Sequence, residues 1–155
     1  MNRPRLILAD DHPETRALLR DILASEFDVV GLVEDGPALV RAAELLTPDV
    51  IVTDIGMPGM DGISAAALVL RRNPATRVVF VSVHTEQCVV KSGMAAGGLG
   101  YVLKLAAGED LIPAVRAALL GQIHITKSLR TSNESFDAQE MECPDSHVAA
   151  IRAVG

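Results

Sequence analysis

Five short runs rich in Val, Ile and Leu recur along the chain, each followed by a longer segment of helical period. The runs are Leu6 to Ala9, Val29 to Val33, Val50 to Thr53, Val78 to Ser82 and Gly100 to Leu103. None alternates apolar with polar residues as a strand with one wet face does. Each is therefore expected to be covered on both sides, as in a parallel sheet packed between helices. The intervening segments supply the cover. Pro13 to Ala24 pairs Leu18 with Ile22 and Leu19 with Leu23 at i, i+4, with its proline tolerated in the first turn. Pro37 to Leu46, Ile63 to Arg72, Glu86 to Ala95 and Glu109 to Leu120 follow the same period. This alternation predicts an α/β fold, a doubly wound five-stranded parallel sheet with helices on both faces.

A chain of 155 residues, 49% of them hydrophobic, has room for one core of ordinary size and an appendage. The β-α pattern ends near Gln122, so the expected division is a domain over residues 1–122 and a poorly ordered C-terminal tail over 123–155. Within the tail, Gln122 to Thr126 reads as a short extended piece and Ser146 to Val154 as a marginal helix. The net charge of -6 leaves no basic surplus for a phosphate backbone, which disfavours direct nucleic-acid binding and favours a protein partner. No apolar stretch approaches the roughly 18 residues a membrane span needs, and the first residues lack a signal-peptide core. The expectation is a soluble, cytoplasmic protein with no membrane contact. Cys88 and Cys143 lack any pairing motif and read as free thiols.

Sheets of this kind do their chemistry beyond the carboxyl ends of the strands. Asp10 and Asp11 follow the first run, Asp54 the third and Lys104 the fifth, while Ser82 ends the fourth. Convergence of three carboxylates is unfavourable, since two unit charges about 4 Å apart repel by roughly 4 kcal/mol at an effective dielectric of about 20. A cation resolves the conflict. Hard carboxylate and backbone oxygens without a nearby His or Cys suit Mg²⁺ (or Mn²⁺), whose shell a phosphate oxygen often completes. Singly, each residue has a plainer role: the aspartate pair as a helix cap, Ser82 as a strand-end hydroxyl, Lys104 as a solvated charge. Together, at successive strand ends, they read as a phosphoryl-transfer site. His12 and His84 lie near this edge without a second His or Cys at ligand spacing, and read as surface or hydrogen-bonding residues.

Asp10-Asp11, the segment Asp54-Ile55-Gly56-Met57-Pro58-Gly59-Met60-Asp61-Gly62, Ser82, and Gly100-Tyr101-Val102-Leu103-Lys104 resemble the signature of bacterial response-regulator receiver domains. The resemblance covers roughly Arg5 to Gly121. It implies the flavodoxin-like strand order 2-1-3-4-5, with Asp54 as phosphoacceptor in two-component signalling. It also implies Asp11, Asp54 and the Gly56 carbonyl as Mg²⁺ ligands, with Asp10 acting through water. Ser82 and Lys104 would contact the phosphoryl oxygens, and Tyr101 would be the switch aromatic behind Ser82. The implied partners are a sensor histidine kinase or phosphotransfer protein and, in one arrangement, a second copy of the chain. A receiver assists its own phosphorylation and dephosphorylation and is not otherwise an enzyme. The sequence is most similar to receivers that precede LuxR-type helix-turn-helix domains, and such an output module is expected to be absent here. Two other readings compete. A metal-dependent phosphohydrolase would carry a second carboxylate two residues after the nucleophile, where this chain has Gly56. An unphosphorylated docking module would not need the whole acidic set. Gly93 interrupts the fourth helix, at about 1 kcal/mol relative to Ala, and predicts a loose surface there.

Overall fold

The computed structural model describes residues 3–129. In chain order they form β1 (Arg5–Ala9), α1 (Pro13–Ala24), β2 (Asp28–Val33), α2 (Gly36–Leu46), β3 (Val50–Thr53) and α3 (Gly62–Arg72). Next come β4 (Arg77–Ser82), α4 (Gln87–Ala95), β5 (Gly100–Leu103), α5 (Ala107–Leu119) and β6 (His124–Ile125). The helix starts are chemically marked. Asp35 accepts a 2.7 Å hydrogen bond from Ala38 N and Asp61 one of 2.9 Å from Ser64 N, satisfying first-turn amides of α2 and α3 that have no partner inside the helix. Pro13 and Pro37 open α1 and α2, where a missing N–H removes no helical bond.

All strands are parallel, in the order β2-β1-β3-β4-β5-β6. The first five reproduce the expected doubly wound order, which reverses between β1 and β3. The sixth corrects the expected count of five. His124–Ile125 pairs with Gly100–Tyr101 of β5, so ordered structure runs past residue 122 to Leu129. The rest of the predicted tail, with the helix expected at Ser146 to Val154, lies outside the described residues.

Strand side chains alternate between two cores. Leu6, Leu8, Val50, Val52, Val79, Val81 and Val102 pack with Leu19 and Leu23 of α1 and Leu111, Ala114 and Val115 of α5. The intervening residues, among them Ile7, Ile51, Phe80 and Tyr101, pack against α2, α3 and α4. Burial on both faces is what the unbroken apolar runs require. It leaves the carboxyl ends of β1, β3, β4 and β5 as a shared polar edge.

Gly93 has a packing role in α4. A Cβ there would lie 3.1 Å from the Phe80 ring, so the glycine admits the helix to the sheet at close range. The expectation of free thiols is corrected for Cys88, which is disulfide-bonded; Cys143 lies outside the described residues. Among the described residues no helix is long and apolar enough to cross a membrane.

Candidate functional site

The polar edge gathers the acidic residues as the strand ends dictate. Asp10 N donates to Val33 O and Asp54 N to Ala9 O, which continue the ladder one residue past β1 and β3 and bring the two carboxylates together. Ligand atoms of Asp10, Asp11, His12 and Asp54 all lie within 4.8 Å of one another. Lys104, at the first turn after β5, reaches across the edge: its Nζ is 2.9 Å from Asp54 Oδ2 and 3.0 Å from Asp10 Oδ2. The other oxygen of each carboxylate is held by backbone, Ile55 N to Asp54 Oδ1 at 2.8 Å and His12 N to Asp10 Oδ1 at 2.9 Å.

Burial sets the electrostatics. Asp10 is wholly buried and Asp54 nearly so. Desolvation pushes the Asp54 carboxyl above the usual carboxylate range, against the opposing pull of the Lys104 charge. Burial alone would lower Lys104, but the charges of Asp54 and Asp10 outweigh it and hold the ammonium above its ordinary value. One lysine is thus shared between two carboxylates, with Asp11 beside them. Asp10 Oδ2 meets only the Lys104 ammonium and Asp11 Oδ1 only the His12 ring, so each buried oxygen has a single polar partner. Three converging carboxylates, with the exposed His12 ring at their margin, fit a hard divalent cation. His12 Nδ1 lies 3.0 Å from Asp11 Oδ1, a hydrogen-bonding placement in keeping with its sequence reading. Gly56 is half-buried in the loop that leaves β3.

A family model described as "Response regulator receiver domain" matches residues 6–116. The chain belongs to that family. Among curated relatives, transcriptional regulatory protein DegU of Brevibacillus brevis is 35% identical over 126 residues, 80% of this chain and 53% of the relative. The chain spans about half to two thirds of the length of the curated relatives it matches. Among solved structures, the receiver domain of NarL from Mycobacterium tuberculosis superposes with a TM-score of 0.74 at 32% identity, covering 79% of this chain and 100% of that one. The isolated receiver domain of RcsB from Salmonella enterica serovar Typhimurium, with the phosphomimetic BeF3⁻, gives 0.76 at 29% identity, covering 83% and 96%. This is a receiver domain of two-component response regulators, and its acidic cluster is compatible with phosphorylation and Mg²⁺. The phosphohydrolase reading is not favoured.

Two further residues complete the receiver's polar edge. Ser82 is buried at the end of β4, and its Oγ accepts from His84 N at 3.0 Å. Tyr101 points inward into the core beneath α4, and its hydroxyl donates to His84 O at 2.9 Å. Burial raises the Tyr101 phenol far above its ordinary value, partly offset by a hydrogen bond with Ser82. Ser82, His84 and Tyr101 therefore form one connected set. Sequence reasoning placed Ser82 and Tyr101 here but missed how His84 joins them, because it does so through its backbone groups.

Sequence reasoning quoted Gly62 in its motif but missed its packing role. Its N donates to Ile55 O at 2.7 Å, and a Cβ at this position would lie 1.9 Å from the Asp54 carbonyl oxygen. The glycine lets α3 begin directly against the backbone of Asp54.

Proposed function

We propose that Asp54 is the phosphoacceptor, accepting a phosphoryl group from the phosphohistidine of a sensor kinase or phosphotransfer protein. The observation that carries this reading is the Lys104 ammonium held 2.9 Å from a buried Asp54 oxygen at the end of the central strand. A carboxylate oxygen of Asp54 attacks phosphorus, the new P–O bond forms and the P–N bond to the donor imidazole breaks. Such transfer depends on positioning and charge neutralisation more than on acid-base help. Asp54 is aimed by Ile55 N. Lys104 moves from the carboxylate pair to a phosphoryl oxygen, and the Ser82 hydroxyl turns from Tyr101 to another. Asp11, Asp54 and the Gly56 carbonyl would hold Mg²⁺, with Asp10 nearby, and the cation would neutralise charge on the transferring group. The added charge of about -1.5 to -2 then redistributes contacts along Ser82, Tyr101 and Lys104. The surface that changes is built from α4, β5 and α5.

Intact-mass measurement with acetyl phosphate and Mg²⁺ is expected to show one phosphoryl adduct on wild type and none on Asp54→Asn. An equal yield from the variant would refute the assignment.

The site also has an energetic signature. The folded-state pKa of Asp54 is raised, so this group favours folding fully only below its ordinary value of 3.8, and the contribution is lost as pH rises through the folded value. At neutral pH without metal, Asp54→Asn is therefore expected to be the more stable protein. Cation at ten times its dissociation constant stabilises wild type by about 1.4 kcal/mol. That corresponds to a rise in Tm of about 3 to 6 °C for a domain of this size. Asp54→Asn should gain less. Melts of both proteins with chelator and with Mg²⁺ test this; equal gains would mean that Asp54 does not share the cation.

A further inference from the structure

β6 and the turn after it form a strap on the outer edge of β5, and its bonds lead to the two sides of the acidic site. Thr126 is the junction. Its hydroxyl donates to Asp110 Oδ2 of α5 at 2.7 Å and accepts from Leu103 N at 3.0 Å. Thr126 N donates to Tyr101 O at 2.9 Å. His124 Nε2 lies 2.9 Å from the other Asp110 oxygen. Beyond Thr126, Leu129 is buried in the same core as Tyr101 and Ile125, and Gln87 of α4 donates to Leu129 O at 2.7 Å.

Two routes run inward from this strap. Leu103, held by the Thr126 hydroxyl, immediately precedes Lys104, whose ammonium bridges Asp54 and Asp10. Tyr101 is backed by Ile125 and Leu129 on one side. On the other, its hydroxyl holds the His84 carbonyl while His84 N holds Ser82. The neighbours of the phosphoacceptor that carry a positive charge and a hydroxyl are thus both tied to a segment that lies past α5.

We infer that Thr126 is a positioning residue for phosphoryl transfer, and that the strap His124–Leu129 couples chain beyond the sheet to Lys104 and Ser82. The inference rests on Asp54 being the phosphoacceptor. The coupling is reciprocal by thermodynamic necessity: occupancy at Asp54 changes the seating of the strap by the same factor that strap seating changes occupancy. Chain attached after Leu129 would then sense phosphorylation at the β5 edge without touching the acidic site.

Thr126→Val in the full chain keeps a β-branched side chain and removes the hydroxyl, and Thr126→Ser restores it. The first readout needs no phosphorylation. Amide exchange at His84, whose N–H bonds Ser82 and not the strap, is expected to quicken about tenfold in Thr126→Val, the size of one lost net hydrogen bond, and to return in Thr126→Ser. Exchange at Val52, in the central strand, serves as the reference and should not change. The second readout is uptake from acetyl phosphate. Its maximal rate should fall about fivefold in Thr126→Val, with recovery in Thr126→Ser, while the Mg²⁺ concentration for half-maximal rate stays within about twofold, because no bond of the strap reaches Asp10, Asp11 or Asp54 directly. His84 exchange within about twofold of wild type in Thr126→Val, or a loss that serine does not restore, would overturn the coupling. If wild type takes up no phosphoryl group, the Asp54 assignment fails, and the His84 exchange still decides whether strap and site are connected.

Discussion

Lys104→Met is expected to destabilise the metal-free receiver by about 3 to 5 kcal/mol at neutral pH, the cost of leaving a buried charge uncompensated. Two carboxylates lose their shared cation at once: Asp10 is wholly buried, and Asp54 is only 6% exposed. Methionine keeps the length of the stem, so the change isolates charge from packing. On this scale Tm should drop by roughly 10 °C or more. The pH dependence follows from the directions of the shifts. Lys104 has a folded-state value raised above 10.5, so its stabilisation is complete below that value and is lost as pH rises through the folded one. Asp54 moves in the same sense, favouring the fold below 3.8 and opposing it above. The penalty of Lys104→Met should therefore shrink at low pH, where the raised Asp54 carboxyl is protonated, and should grow as pH rises through its folded-state value. Adding Asp54→Asn should recover a large part of the loss, since one of the two stranded charges is gone. A melt series across pH checks both statements; a penalty independent of pH would show that packing, not charge, holds Lys104 in place.

Gly62→Ala should be comparably disruptive for a different reason. The new methyl would lie 1.9 Å from the Asp54 carbonyl oxygen and 3.1 Å from Ile55 Cα. That carbonyl is fixed, because Thr53 Oγ1 donates to it at 2.8 Å and the next peptide is bonded to Gly62 N. Relief requires α3 to withdraw or the Asp54 loop to shift. Overpacking into well-packed surroundings costs about 1 to 3 kcal/mol, and with backbone as the obstacle the upper end or beyond is expected. The same displacement moves the Asp54 carboxylate away from Lys104, so phosphoryl uptake should fall further than the loss of folded protein explains. Gly108→Ala is the control. Nothing lies within 4 Å of a Cβ there, in the first turn of α5, and the change should be neutral or stabilise by up to about 1 kcal/mol. Chemical denaturation of the two variants, with uptake measured on the folded fraction, separates the effects.

The central strands were legible because both of their faces are buried. Val50–Thr53 and Gly100–Leu103 coincide with their apolar runs, and the helices depart from their periodic segments by one or two residues at the ends. Those departures are local chemistry: Asp35 and Asp61 act as caps, so α2 and α3 begin at Gly36 and Gly62. β6 was legible as a short extended piece, Gln122 to Thr126, but not as a sixth strand of the sheet. Two residues carry too little pattern, and their pairing depends on the open edge of β5 and on Asp110, which is distant in sequence. In the site, the strand-end rule located Asp10, Asp54 and Lys104, since only residue type and position were needed. Lysine sharing between Asp10 and Asp54 did not follow from the sequence, because it depends on distances across β1, β3 and β5. Gly62 stood in the quoted motif without a role, and the backbone of His84 was hidden, for a related reason. A glycine does not say which backbone it approaches, and a bond made by main-chain atoms leaves no signature in residue type.

The central claim is that the phosphoryl group resides on Asp54, and chemical trapping tests it most directly. Borohydride reduces an aspartyl phosphate to homoserine, which marks the phosphorylated position permanently. After treatment with acetyl phosphate and Mg²⁺, then borohydride and proteolysis, peptide sequencing by mass spectrometry should find homoserine at position 54 and at no other aspartate. Homoserine at Asp10 or Asp11, or a phosphoryl adduct that leaves residue 54 as aspartate after reduction, would contradict the account.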